Sequence, residues 1–208
     1  MPEVDKLFGI PQALKPNIEP NIEIDCGEHA LKALQIAAQK NAPLPIRFAT
    51  LTLDLGKGMT PSQYLPQHPR HERQSVELLE ALCERLRVPN DCRDLAITAA
   101  RWQSHVHASI ALDAESLLAV LDGTDALRRP ARFMQLLDVC ACDHDSLPDV
   151  DGRPYLQHDY LRNALTQLQS LDQAAVAKLS VSGNIGDAVQ AAKLKVLQQF
   201  TTNHRNLR

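Results

Sequence analysis

Along most of the chain apolar residues recur three and four positions apart, and runs alternating apolar with polar at every second position are nearly absent. That periodicity predicts helices packed on helices, with no central sheet. Asp25 is placed to cap a helix over 25–40 that carries Leu31, Leu34 and Ala38 on one side. Pro45 suits the first turn of a second helix, 46–55, which Gly56-Lys57-Gly58 ends. Residues 60–69 read as a loop, because Pro61, Pro66 and Pro69 forbid a long helix. The clearest amphipathic stretch is 71–86. Val76, Leu79, Cys83 and Leu86 lie on one face, with Glu77, Glu80, Glu84 and Arg87 opposite. Further helices are predicted over 91–104, containing Leu95, Ile97 and Trp102, then 115–121, 131–142 and 187–200. Residues 143–154, with aspartates, Gly152, Pro148 and Pro154, mark a loop or subdomain boundary, and Ser182-Gly-Asn-Ile-Gly186 precedes the last helix. The expectation is an all-α protein: an extended lead-in over 1–24, a helical domain over 25–145 and a helical extension over 146–208.

Composition narrows this picture. The 208 residues are 44% hydrophobic and 23% charged, close to globular averages, which excludes wholesale disorder. Aromatics are only 4%, which favours helix packing over a β-sandwich. A formal net charge of −3 gives no global cationic field for nucleic acid. Arg70, Arg73, Arg85, Arg87 and Arg93, and separately Arg128, Arg129 and Arg132, still offer local basic faces, to be weighed against ordinary solvated helix surface. Apolar runs such as 116–121 are too short to span a bilayer, and residues 1–5 lack the features of a signal peptide. The odd number of cysteines, at 26, 83, 92, 140 and 142, fits buried thiols better than a disulfide framework. A soluble, cytoplasmic protein is expected.

Candidate chemistry lies in histidines and carboxylates. His29 falls in the first turn of its helix, Asp54 near the end of the next, and His68 and His71 flank the proline loop. His105, His107, Asp122 and Asp125 follow. Imidazole and carboxylate donors suit a divalent metal, although any one histidine is more often surface or satisfied core than ligand. Gly56-Lys57-Gly58 is weak as a phosphate cradle and reads equally well as a helix C-cap with a lysine facing the dipole. There is no Walker-type loop, paired CxxC or GxSxG elbow.

In combination these segments resemble one family. Met1-Pro-Glu-Val-Asp-Lys-Leu-Phe-Gly-Ile-Pro11, Glu23-Ile-Asp-Cys-Gly-Glu-His29 and Arg47-Phe-Ala-Thr-Leu-Thr-Leu-Asp-Leu-Gly-Lys-Gly-Met-Thr-Pro61 are similar, in order, to parts of the C-terminal half of the bacterial multifunctional CCA-adding tRNA nucleotidyltransferases. Leu86-Arg-Val-Pro-Asn90, Arg93-Asp94-Leu95, Asp125-Ala-Leu-Arg-Arg-Pro130, Gly183-Asn-Ile-Gly186 and Ala192-Lys-Leu-Lys195 continue the resemblance. It implies an HD-type helical bundle with a small C-terminal helical extension. It also implies tRNA or a nucleotide as partner, no membrane, and room for a homodimer.

The resemblance also implies a site. HD proteins set a His, an adjacent His-Asp pair and a distant Asp around a divalent ion that activates water for attack on a phosphate ester. On this chain the metal positions fall on His29, Asp54 and Asp125, with His68, His71 and Asp122 as secondary candidates. Asp54 and Lys57 are the expected catalytic pair, and Arg70, Arg73, Arg128 and Arg129 the RNA-facing residues. Two departures stand out. Leu53 occupies the place of the pair's histidine, and Gln103-Ser104 stands where a further His-Asp pair is expected. Leucine has no lone pair, so nickel, manganese or magnesium binding is expected to be weakened and phosphohydrolysis impaired. The family's nucleotidyl-transfer head has no counterpart in these residues, so CCA addition by this chain alone is not expected. The alternative is a working metal-dependent phosphohydrolase for 2′,3′-cyclic phosphates, 2′-nucleotides or other phosphoesters, with His68 or His71 replacing the lost ligand.

Overall fold

In the computed structural model, residues 1–13, 23–148, 150, 152–171 and 185–206 are described. Helices dominate them, as the periodicity predicts. In chain order they are α1 (Pro2–Asp5), α2 (Cys26–Gln39), α3 (Leu44–Thr52), α4 (His71–Leu86), α5 (Asn90–Ala108), α6 (Ala114–Gly123), α7 (Pro130–Asp145), α8 (Leu156–Gln169) and α9 (Ile185–Asn206). Short 3₁₀ turns cover Leu55–Met59, Ser62–Tyr64 and Ser109–Ala111. The expected lead-in is more structured than its prolines suggest. Pro2 sits in the first turn of α1, where its missing N–H costs nothing, and Val4 and Leu7 are buried. Strand β1 (Pro11–Ala13) pairs antiparallel with β2 (Glu23–Asp25), Gln12 opposite Ile24. Of the sequence expected before the last helix, residues 182–184 lie outside the described part.

The chain forms two compact units. One comprises residues 1–104 and 135–155, the other 105–134 and 156–208. The line between them falls inside α5 and α7. In the first unit, Asp25 caps α2 by accepting from the N–H groups of Gly27 and Glu28, both at 2.9 Å. The buried face of α2 differs from the expected one. Leu31 is 46% exposed, and the stripe turned inward is Cys26, His29, Ala30, Ala33 and Ala37. Alanines at that spacing let α2 pack closely on α3, with Leu31 left outside and Leu34 half-buried.

α4 buries Val76, Leu79, Leu82 and Cys83, whereas Leu86 is exposed. Each of its two buried leucines contributes about 1.5–3 kcal/mol. The 3₁₀ turn Leu55–Met59 packs against this helix. Gly56 makes that possible, because a Cβ there would lie 2.2 Å from the His71 carbonyl oxygen and 2.7 Å from the Ser75 nitrogen. The Gly56 N–H donates to Ser75 Oγ at 2.8 Å. In the second unit α9 packs on α6 and α8, with Tyr160 against Phe200 and His204. All five cysteines are free and buried. No helix among the described residues is long and apolar enough to cross a membrane.

Candidate functional site

The end of α3 starts the site. The helix stops at Thr52, and Leu53, its C-cap, is buried. The backbone then tightens into the 3₁₀ turn, which brings Lys57 back over Asp54. The Lys57 ammonium bonds to Asp54 Oδ2 and donates to Gln12 Oε1 of β1 at 2.6 Å. Gln103, buried on α5, donates its amide to Asp54 Oδ1 at 2.7 Å. Both carboxylate oxygens of Asp54 are thus held by protein donors. Burial pushes the Asp54 carboxyl up, but the Lys57 and His71 charges outweigh it and hold it below its ordinary value. Burial likewise pulls Lys57 down, and Asp54 and Asp143 raise it above the usual lysine range. Each partner stabilises the charged form of the other.

α2 supplies His29 and the end of α7 supplies Asp143, whose Oδ1 is 2.9 Å from His29 Nε2. Donor atoms of His29, Asp54 and Asp143 all lie within 4.8 Å of one another. The second carboxylate of this group, within the first unit, is that of Asp143. Asp125 belongs to the other unit, in a left-handed conformation between α6 and α7, where it faces Arg128 and Arg129. Asp122, in the same unit as Asp125, accepts from Lys193 and Gln190 of α9 at 3.1 and 3.0 Å. Asp143 lies one residue beyond the predicted end of the helix at Cys142. α7 continues to Asp145, and Asp143 is half-buried there, next along the helix from the buried Val139 and Cys140. The available signal was a carboxylate three and four residues beyond two core positions.

His71, at the start of α4, donates Nδ1–H to the His68 carbonyl at 2.8 Å, since a carbonyl can only accept. Its Nε2 lies 3.6 Å from Asp54 Oδ1. His68 donates from Nε2 to the Pro11 carbonyl at 3.0 Å and accepts from Thr60 Oγ1 at 2.9 Å. Burial lowers its pKa, in keeping with a neutral ring committed on both sides. Ser104 sits on neither carboxylate of the group; it donates to Glu72 at 2.6 Å. Cys26, against Gln12 and His68, has its thiol pushed up to about 12 by burial. A cleft of about 550 Å³ opens beside the group, lined in part by Gln12, Lys57, Tyr64, His68 and His71.

The expected RNA-facing arginines lie outside this cleft. Arg70 is exposed at the N-terminus of α4 in a left-handed conformation. Arg73 pairs with Glu77 at 3.0 Å. Arg128 and Arg129 belong to the second unit and face Asp125.

The chain is 44% identical over 204 residues to the Multifunctional CCA protein of Dechloromonas aromatica, covering 98% of this chain and 48% of that protein. Homologues of the same name from Burkholderia multivorans and Thioalkalivibrio sulfidiphilus are 43% identical over 199 and 200 residues, covering 95% and 96% of the chain and 47% and 48% of theirs. The chain is homologous to one half of the multifunctional CCA proteins. It spans about half the length of these curated relatives, the share expected for their C-terminal half. No protein-family model matches it, and no solved structure does. The site described above is built by the first compact unit, from β1, α2, the turn after α3, α4, α5 and α7.

Proposed function

We propose that the chain is an HD-fold module of a CCA-type protein whose metal-dependent phosphohydrolysis is impaired and which serves by binding tRNA or a nucleotide. The observation that carries this reading is the state of Asp54. Lys57 and Gln103 engage both of its oxygens, and Leu53 fills the neighbouring position where the resemblance calls for an imidazole. In kind, the remaining donors fit a divalent ion: one imidazole from His29 and two carboxylates from Asp54 and Asp143. Such an ion would supply Lewis-acid activation of water. In strength the set falls short, because a catalytic centre usually has at least three firm protein ligands, and an ion here must displace the Lys57 ammonium from one of them.

The chain's own residues support binding without turnover. Lys57 and His71 give the cleft hydrogen-bond and charge partners for a phosphate, and Tyr64 gives it an exposed ring. Arg70 and Arg73 add exposed cationic groups on the α4 side. The resemblance to CCA-adding tRNA nucleotidyltransferases points to tRNA as the class of partner.

A second reading is favoured by one observation. His71 turns Nε2 toward Asp54 at 3.6 Å, so its ring is placed to replace the imidazole lost at Leu53 in an active phosphohydrolase. The deciding experiment is turnover of 2′,3′-cyclic AMP and of an aryl phosphate by the purified chain with nickel, manganese or magnesium, alongside metal analysis and a tRNA-binding titration. The preferred reading expects sub-stoichiometric metal, little or no turnover, and tRNA binding that weakens with salt. Robust turnover lost in both Asp54→Ala and His71→Ala would establish the second reading instead. CCA addition by this chain alone is expected to be absent in the same preparations.

A further inference from the structure

Tyr64 is 48% exposed in a chain that carries only three tyrosines and one tryptophan. Its backbone is nonetheless held on several sides. The Tyr64 N–H donates to the Pro61 carbonyl at 3.0 Å, and the Tyr64 carbonyl accepts from the Gln67 N–H at 2.8 Å. The loop is tied to β1 as well. The Ala13 N–H donates to the Pro66 carbonyl at 3.2 Å, and His68 links the Pro11 carbonyl to the Thr60 hydroxyl. Pro61, Pro66 and Pro69 fix φ at three further points of the loop. An exposed ring on a backbone this constrained offers a ligand a flat face, with little ordering cost left to oppose binding.

That ring stands on the wall of the cleft of about 550 Å³, a volume within the range of small-molecule sites. The lining joins two chemistries. Lys57 brings an ammonium, and its contacts with Asp54 and Gln12 use two of three N–H donors. Tyr64, Pro66 and Pro69 bring apolar surface, and beside them the exposed Gln63 and Gln67 carry amides that both donate and accept. All of these residues belong to the first unit. Inorganic phosphate would use the ammonium and leave the ring idle. A plain hydrocarbon would use the ring and leave the ammonium and amides idle. A ligand that engages all three is a flat, hydrogen-bonding ring joined to an anion, which is the build of a nucleotide. Stacking of a base on an aromatic side chain tolerates any base, because every base has a π-face.

We propose, building on the reading of the chain as a binding module, that Tyr64 is the stacking platform of a nucleobase subsite. The cleft takes a nucleotide, free or at an unpaired RNA end, with its base on the Tyr64 ring beside Gln63 and Gln67 and its phosphate toward Lys57.

Calorimetry on the full chain compares AMP with ribose 5-phosphate, which keeps the phosphate and lacks the base. AMP is expected to bind about tenfold more tightly or better, the scale of one base–aromatic stack. Tyr64→Leu should bring AMP down to the level of ribose 5-phosphate without weakening the latter, and Tyr64→Trp should restore the difference. In Tyr64→Trp, AMP should also quench emission beyond that of Trp102, and ribose 5-phosphate should not. A short single-stranded RNA separates the two sources. It binds more tightly than AMP if the ligand is an RNA end and no better if the ligand is a free nucleotide, and in both cases Tyr64→Leu weakens it. Equal binding of AMP and ribose 5-phosphate, or AMP binding unchanged in Tyr64→Leu, would overturn the base subsite and leave phosphate binding at Lys57 standing. Absence of binding by all three probes would overturn it together with the reading as a binding module. If Tyr64→Leu does not fold, the comparison of AMP with ribose 5-phosphate on the parent protein still decides.

Discussion

His29 and Asp143 stand 114 positions apart in the chain, yet His29 Nε2 and Asp143 Oδ1 meet at 2.9 Å. The contact joins the first turn of α2 to the last turn of α7. Each residue lies on the buried face of its own helix, so the packing that buries the alanines of α2 and Val139 and Cys140 of α7 also brings the two polar groups together. Asp54 completes the group from the turn after α3.

If an imidazole is what the site lacks, Leu53→His should raise its affinity for manganese or nickel. Defects around a metal centre commonly change affinity by about 10–100-fold, and a gain of at least that order is expected. In the Leu53→His background, Asp143→Ala should remove the gain and Asp125→Ala should leave it intact. Calorimetric titration checks this, and sensitivity to Asp125 in place of Asp143 would refute the assignment of the acidic partner.

Lys57 and Asp54 are both about nine-tenths buried and bonded to each other. Lys57→Met strands a buried carboxylate, and its expected cost is about 3–5 kcal/mol. Adding Asp54→Asn should recover part of that loss, since the uncompensated charge is gone. The pH dependence follows from the directions of the shifts. Asp54 is held low, so its contribution is lost only as pH falls through its folded value. Lys57 is held high, so its contribution is lost only as pH rises through its folded value. Removing Lys57 lets burial push the Asp54 carboxyl up in the variant, so urea unfolding should show the difference between wild type and Lys57→Met shrinking as pH falls.

Gly56→Ala should be costly although it adds a single methyl group. The new Cβ meets two backbone atoms, the His71 oxygen and the Ser75 nitrogen, and neither can swing aside as a side-chain tip would. A loss near the upper end for overpacking, about 3 kcal/mol, is expected. Because the strain falls on the first turn of α4, His71 should move away from Asp54. A loss below about 0.5 kcal/mol in denaturant unfolding, within ordinary surface-substitution scatter, would show that the turn has slack.

The Glu3 carboxylate of α1 takes both arms of the Arg85 guanidinium, at 2.8 and 3.0 Å. This hydrogen bond holds Glu3 below its ordinary value of 4.5. A depressed carboxylate stabilises the fold above its unfolded pKa and loses that contribution as pH falls through its folded pKa. Wild type should melt above Glu3→Gln at neutral pH, and the gap should close in acid. A gap that persists unchanged well below 4.5 would argue against the pair as its source.

What local sequence encodes was legible. The all-α class, the Asp25 cap and the amphipathic α4 all depend on residues within a few positions of one another. The resemblance located the homologous family, and it brought His29 and Asp54 into one expected site. Other features were decided by tertiary packing. Which side of α2 turns inward depends on the close approach of α3, so small residues won over Leu31. Asp143 read as loop because aspartates, glycine and proline follow it, whereas the buried face of α7 carries the helix one turn further. Gln103 satisfying Asp54 from 49 positions away has no local pattern to betray it. A side chain's hydrogen-bond partner is set by where helices cross, and periodicity along one helix says only which face it brings to that crossing.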